Sequence, residues 1–124
     1  EVGSVATDFA HEDYGTTLQK CQRYYVQWDG TSKWGLSGVC RSASAGALGG
    51  FDFPVEMRAA PTISYTTVNV IDSSAGGVDG TLATSAVGTK SATCSLGSSS
   101  GLTDGNGLFV ELKASGVIAA TAEL

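Results

Sequence analysis

Apolar and polar residues alternate along most of this chain, which is the pattern of half-buried β-strands. The clearest case is residues 62–71, where Ile63 and Tyr65 fall on one face and Val68 and Val70 on the other. Other strands are expected at 24–28, 33–41, 45–53, 81–87, 91–96, 108–114 and 117–124. Turn residues recur about every 8–12 positions, a spacing that favours a mainly β protein with an antiparallel β-sandwich or jelly-roll-like domain.

Turn dipeptides predict how some of these strands connect. Asp29-Gly30 is a hairpin signal and would join the 24–28 strand to the 33–41 strand. Ser115-Gly116 would join the last two strands as an antiparallel pair. Pro54 and Pro61 bracket six residues that we interpret as a short turn or a connection between sheets.

One short helix is predicted before the first strand. Thr16 or Thr17 can act as its N-cap, and Leu18, Cys21 and Tyr25 then fall at positions i, i+3 and i+7 of one face. We expect Leu18 and Cys21 to bury this helix on the sheet.

Length and local composition predict the domain organisation. A chain of 124 residues suits a single domain, which we place at residues 14–124 as a C-terminal β-sandwich domain. Residues 1–13 contain four acids and no Lys or Arg. We interpret them as a lead-in from a preceding module, so that Glu1 marks the start of a fragment.

Small residues dominate the composition and change the expected oligomeric state. Gly, Ala, Ser and Thr make up 60 of the 124 residues, whereas Leu, Ile, Val and Phe make up 27. A core this poor in large apolar side chains is often completed by partner subunits, so we expect a homo-oligomer. The net charge of −5 argues against nucleic acid as a partner, and no apolar run approaches the roughly 18 residues of a membrane helix.

Catalytic and metal-binding patterns are weak. Cys21, Cys40 and Cys94 lack metal-ligand spacing; three buried thiols are expected, with one disulfide and one free thiol as the alternative. His11 is the only histidine, and no nucleophile motif accompanies it. Acids that can in principle pair for glycoside hydrolysis are Asp29, Asp52, Glu56 and Asp72. The sequence predicts no enzyme, no cofactor and no metal site.

An aromatic cluster is the strongest local sign of binding. Tyr24, Tyr25, Trp28 and Trp34 lie close together in the sequence, on either side of the predicted Asp29-Gly30 turn. One face should join the core, and the other would expose aromatic surface of the kind that binds a sugar ring or a partner. Tyr25, Trp28 and Trp34 are therefore the candidate ligand-binding residues, and the alternative is a purely structural cluster.

Three stretches of the chain carry a resemblance to a known family. Leu18–Tyr25 matches L-x-x-C-Q-R-Y-Y, Phe53–Thr62 matches F-P-V-x-M-R-A-x-P-T, and Ala122–Leu124 is A-E-L. Together they resemble the C-terminal domain of bacteriophage tail fibres and related virion appendage proteins. Within them, the residues interpreted as structural are Cys21, Arg23, Tyr24, Pro54, Met57, Arg58 and Pro61. Arg23 or Arg58 is expected to hold backbone carbonyls or a carboxylate where two elements meet.

The resemblance implies a place and a role. It implies a β-rich distal domain of a homotrimeric fibre, located in the virion and assembled in the host cytoplasm. It also implies a non-enzymatic role in attachment to the host surface, with a cell-surface glycan and other virion proteins as partners. The alternative is a purely structural domain for trimerisation, a collar or capsid decoration, without a host ligand.

Overall fold

The structure is mainly β, as the sequence predicts. The computed structural model describes residues 11–32 and 34–122. Most of the predicted lead-in, residues 1–13, and the last two residues of the A-E-L terminus lie outside these ranges. Within them, the elements in chain order are α1 (Tyr14–Gln22), β1 (Tyr25–Asp29), a short 3-10 turn (Gly30–Ser32), β2 (Gly35–Cys40), β3 (Gly46–Asp52), β4 (Thr62–Tyr65), β5 (Val68–Asp72), β6 (Ala75–Val87), β7 (Ser91–Ser98), β8 (Gly107–Leu112) and β9 (Val117–Thr121).

Six of the strands close into an antiparallel barrel. Its order is β2-β3-β7-β6-β5-β8, and β8 pairs back onto β2. The other three strands form an antiparallel sheet in the order β1-β9-β4. The prediction of a mainly antiparallel β protein with one short helix is therefore confirmed. The finer expectation of a sandwich or jelly roll is not confirmed, because the six strands share one closed hydrogen-bonded ladder.

The strand expected at residues 62–71 changes sheets halfway along. β4 pairs with β9 in the small sheet, whereas β5 pairs with β6 and β8 in the barrel. Thr66 lies at the corner, where its N–H donates to the Val117 carbonyl at 3.0 Å and its Oγ1 accepts from the Val117 N–H at 2.8 Å. At this residue the two bonds take the place of the regular hydrogen bonds between strands. The backbone therefore stays hydrogen-bonded while the chain passes from one sheet to the other.

Both predicted hairpins are wrong. β1 pairs with β9 rather than with β2, and β8 pairs with β2 and β5 rather than with β9. The two turns instead pack on each other, because the Gly30 N–H donates to the Gly116 carbonyl at 3.0 Å. A Cβ at Gly30 would lie 1.9 Å from the Lys113 carbonyl oxygen. The glycine of the Asp29-Gly30 signal therefore permits a close approach of two chain segments, not a hairpin.

Two apolar clusters form the core. The larger one is built mainly from alternate residues of the barrel strands, and Val68, Val70 and Val110 in it have no exposed surface. The smaller cluster lies where the small sheet meets the barrel and consists of Val26, Phe53, Met57, Ala92, Ala120 and Ala122. Trp28 and Ile63 pack against both clusters, so they join the three-stranded sheet to the barrel.

Asp72 is the one buried charged residue among those the structure describes, with 3% of its surface exposed. Its Oδ1 accepts from the Ser74 N–H at 2.6 Å and from the Ser74 hydroxyl at 2.9 Å. Its Oδ2 accepts from the Thr103 N–H at 2.8 Å and from Asn106 Nδ2 at 3.5 Å. This carboxylate therefore joins the end of β5 to the loop that follows β7, and the donors around it offset the cost of its burial.

Replacing Asp72 should destabilise the barrel more than replacing a nearby exposed acid. Asp72→Ala leaves the Thr103 and Ser74 amides without their acceptor, so we expect the free energy of unfolding to fall by about 2–3 kcal/mol. Asp104→Ala removes an exposed acid of the same loop and should cost less than about 0.5 kcal/mol. Urea unfolding of both variants measures the difference, and equal losses would contradict the role given to Asp72.

Candidate functional site

Two of the three predicted ligand-binding aromatics pack inwards. The Trp28 ring lies edge-on to Phe51, with 5.2 Å between ring centroids, and stacks on Phe53 at 6.3 Å. Trp34 also meets Phe51 edge-on, at 5.5 Å. Tyr25 alternates with Trp28 along β1 and is 48% exposed. Trp28 and Trp34 therefore both contact Phe51, whereas Tyr25 lies on the opposite face of β1. A ligand-binding role for these three residues stays a prediction.

The two longer stretches that carry the family resemblance are neighbours in the fold. The Arg58 N–H donates to the Arg23 carbonyl at 2.8 Å. The Arg58 guanidinium carbon lies 5.8 Å from the centre of the Tyr24 ring, within the range of a cation–π contact. A backbone hydrogen bond therefore joins the two motifs, and the Arg58 side chain of the Phe53–Thr62 motif lies over the Tyr24 ring of the Leu18–Tyr25 motif.

Residues 53–61 connect β3 of the barrel to β4 of the small sheet, which confirms the predicted connection between sheets. Met57 anchors this connection, since its side chain is 1% exposed and its N–H donates to the Thr89 carbonyl at 2.7 Å. Pro54 is exposed, whereas Pro61 is buried. The connection is therefore fixed to the turn between β6 and β7 on one side and to the end of α1 on the other.

Helix α1 does not bury the face that the sequence predicts. None of its residues is buried, Leu18 is 40% exposed, and Cys21 is exposed as well. The expectation that Leu18 and Cys21 bury the helix on the sheet is therefore wrong. The reason is how the helix is held: beyond its C-terminal end, the Tyr24 carbonyl accepts from the Ala122 N–H at 2.8 Å and the Arg23 carbonyl accepts from Arg58. The helix is therefore attached to the rest of the fold through the backbone that follows it, and its own side chains stay exposed or partly exposed.

The state of the cysteines differs from the prediction in one respect. Cys40 and Cys94 are buried, but Cys21 is exposed, and all three are free thiols. The expectation of three buried thiols is wrong for Cys21, and the alternative with one disulfide is wrong as well. Burial raises the pKa of the Cys94 thiol and of the Tyr65 hydroxyl, whose atoms lie 3.1 Å apart. A thiol held neutral in this way is a poor nucleophile.

A cleft of about 470 Å³ opens between α1 and the 53–61 connection. One wall is a polar face of α1 and its C-cap, at positions i, i+3, i+4 and i+7, formed by Thr16, Gln19, Lys20 and Arg23. The opposite wall is formed by Val55, Glu56, Met57 and Arg58, together with Thr89. The family-like motifs predict a structural role for Arg23, Met57 and Arg58. The cleft itself was not predicted, although the helical spacing of polar residues is a signal for it.

Basic groups outnumber acidic groups around the cleft. Lys20 forms an ion pair with Glu12. Glu56 accepts from the Thr89 hydroxyl at 3.0 Å and lies 3.9 Å from Lys90 Nζ. Among the lining residues that the structure describes, three are basic and one is acidic, in a chain that carries 12 acids and 7 bases.

The four acids considered for glycoside hydrolysis lie in different parts of the fold, and Asp52 is the last residue of β3. Asp29 accepts from the Thr31 N–H at 3.1 Å just after β1. Glu56 lies on the cleft wall, and Asp72 holds the loop beyond β7. In residues 11–32 and 34–122, His, Cys, Asp and Glu side chains form no group of three or more that could hold a metal ion.

Comparison with known proteins gives no match. No family model matches the chain, and no curated protein or solved structure is detectably similar to it. In the part of the chain that the structure describes, no helix has the length and apolar character needed to cross a membrane. The resemblance to phage appendage domains therefore rests on the sequence motifs.

The helix that forms one wall of the cleft should respond to acid. Asp13, rather than Thr16 or Thr17, is its N-cap, and bonds from the Thr16 hydroxyl and the Gly15 and Thr16 amides lower the pKa of the Asp13 carboxyl from its ordinary 3.8. A lowered pKa in the folded state means that the cap stabilises α1 above about pH 3.8 and is lost as the pH falls through the lowered value.

Amide chemical shifts of Gly15 and Thr16, followed from pH 7 to about pH 2, should report this loss. Asp13→Asn keeps a capping oxygen that does not titrate, so it should remove most of the pH dependence. An equally large change in the Asn variant would contradict the assignment of the cap.

Trp28 and Tyr25 should differ sharply in their effect on stability. Trp28→Ala removes a ring that packs against both apolar clusters, so we expect a loss of about 3 kcal/mol or more in the free energy of unfolding. Tyr25→Ala, on the outward face of the same strand, should change it by less than about 0.5 kcal/mol. Thermal and urea unfolding measure both changes; a tolerated Trp28→Ala would show that the ring is not part of the core.

Proposed function

We propose that this chain is a non-enzymatic structural protein of a phage virion. In this proposal it is the distal domain of a trimeric tail fibre or related appendage, and it attaches the virion to a glycan on the host surface. The observation that supports this most is that the two longer family-like stretches, Leu18–Tyr25 and Phe53–Thr62, meet and line one open cleft. Its place is the virion, assembled in the host cytoplasm. The sandwich or jelly-roll relationship expected from the spacing of strands and turns belongs to the same proposal.

The chemistry of the cleft suits a carbohydrate. Hydroxyl, amide and guanidinium groups of Thr16, Gln19, Thr89 and Arg23 line it, and these are the donors and acceptors that sugar hydroxyls need. The volume of about 470 Å³ lies in the range of about 300–1,000 Å³ that small-ligand sites occupy. Single sugar contacts are weak, and three copies on one fibre would raise the avidity of attachment.

A second candidate is a purely structural domain for trimerisation, a collar or capsid decoration, without a host ligand. The exposed apolar side of α1 favours it, because Tyr14 is 80% exposed and Leu18 40%. Side chains of this kind are commonly covered in an assembly. The composition points the same way, since a core with few large apolar residues gains from partner subunits.

Two measurements on the 124-residue chain separate these candidates. Size-exclusion chromatography with light scattering should give three times the chain mass of 12.6 kDa. A screen against bacterial surface glycans should then show binding to a defined subset. Trimerisation and glycan binding together are the expected result, because attachment in this proposal combines a weak site with threefold multiplicity.

Other outcomes decide against parts of the proposal. A trimer that binds no glycan and no host cell would support the purely structural candidate. A stable monomer that binds glycans would contradict the trimer and leave an independent binding module. Polysaccharide cleavage by the purified chain, lost in Asp52→Asn or Glu56→Gln, would contradict the non-enzymatic role.

A further inference from the structure

The outer face of the barrel carries an exposed aromatic ring. Phe109 of β8 alternates with buried residues of the same strand and is 44% exposed. It pairs with Ser37 of β2 on one side and with Ile71 of β5 on the other, so it lies in the middle of three adjacent strands. Its ring reaches over Gly35, where an added Cβ would lie 2.9 Å from Phe109 Cζ. The glycine at position 35 therefore leaves the space that this ring occupies.

A groove of about 350 Å³ lies beside this ring. Phe109 and Ile71 give its lining apolar surface, and Ser37 and Ser73, which are both exposed, add side chains with hydroxyl groups. Gly107 also belongs to the lining, and a Cβ added there would meet no atom within 4 Å. The volume lies at the lower end of the range of about 300–1,000 Å³ that small-ligand sites occupy. The groove therefore suits one small ring rather than a long chain.

The charges at the groove favour an uncharged ligand. Among the lining residues that the structure describes, Asp72 is the only charged one. It is 3% exposed, and its carboxylate oxygens already accept hydrogen bonds from Ser74, Thr103 and Asn106. An anion would be repelled by this carboxylate and by the net charge of −5, and a cation would meet a carboxylate that is buried and already bonded. A neutral ligand meets neither obstacle.

A neutral sugar combines the two kinds of group that this lining binds. The C–H groups on one face of a pyranose ring pack on an aromatic ring, and the hydroxyls at its edge bond to serine side chains. We propose that the groove beside Phe109 is a carbohydrate site, separate from the cleft at α1, and that it takes one neutral hexose with its C–H face on the Phe109 ring. This inference rests on the proposed glycan attachment and specifies a ligand class and a place for it.

A titration followed by NMR tests this contact. Isotope-labelled chain is titrated with methyl β-D-galactopyranoside and, as a control, with glycerol, which has hydroxyls but no ring. We expect the galactoside to shift the amide signals of Ser37, Ser73 and Gly107 saturably. Its own ring protons should move upfield on binding, because they would lie over an aromatic ring. Glycerol should bind at least about tenfold more weakly, and so should the matching galacturonide, which carries a carboxylate.

Matched variants locate the site. Phe109→Ala should lower the affinity for the galactoside about tenfold or more, whereas Val87→Ala, which trims an exposed apolar side chain of β6 outside the groove, should change it less than about twofold. Phe109→Leu keeps an apolar side chain without the ring, so a loss of about threefold to tenfold is expected. Gly107→Val fills open space in the groove and should also weaken binding about tenfold. Amide spectra of each variant show whether the fold is intact.

Each contrary result has a distinct meaning. Galactoside binding that Phe109→Ala and Gly107→Val leave unchanged would overturn this site and leave glycan attachment standing. Tighter binding of the galacturonide than of the galactoside would overturn the neutral ligand. If Phe109→Ala lowers the molar mass measured by light scattering and no sugar shifts the groove amides, the groove is a contact between copies of the chain and the inference is wrong. No binding of the galactoside also overturns the inference, and the glycan screen then decides separately on the proposed function.

Discussion

The packing of Trp28 on Phe51 and Phe53 is the contact on which the position of the cleft walls depends. Trp28 belongs to β1, which follows α1 almost directly, whereas Phe53 begins the connection from β3 to β4. These rings hold together two segments that are distant in the sequence, and the two segments carry the facing walls of the cleft. Because Trp28 also packs against both apolar clusters, the same contact holds the small sheet on the barrel.

Small residues explain how so few large apolar side chains build this fold. Three of the six buried residues of the smaller cluster are alanines, and the rings of Trp28, Phe51 and Phe53 pack with one another at the same place. Gly30 likewise lets the turn after β1 contact the turn before β9. The many small residues, which suggest a weak core, therefore also allow strands and turns to pack closely together.

The cleft combines a rigid frame with a charged lining. Its walls are joined by a backbone hydrogen bond between Arg58 and Arg23, so their separation does not depend on the side chains that would contact a ligand. A frame of this kind reduces the ordering that binding would otherwise require.

The sequence by itself determined the local elements. The alternation at residues 62–71, the short helix and the proline-bracketed connection were predictable, because periodicity and backbone restriction act over a few residues. Strand pairing was not predictable, since sheet hydrogen bonds join distant segments and Asp29-Gly30 suits a tight turn and a close approach equally well. Leu18 and Cys21 do lie on one face of the helix, as their spacing predicts. Whether that face is buried depends on which elements the tertiary structure packs against it. Only the fold brought Arg23 and Arg58 together, because that contact depends on how the small sheet sits on the barrel.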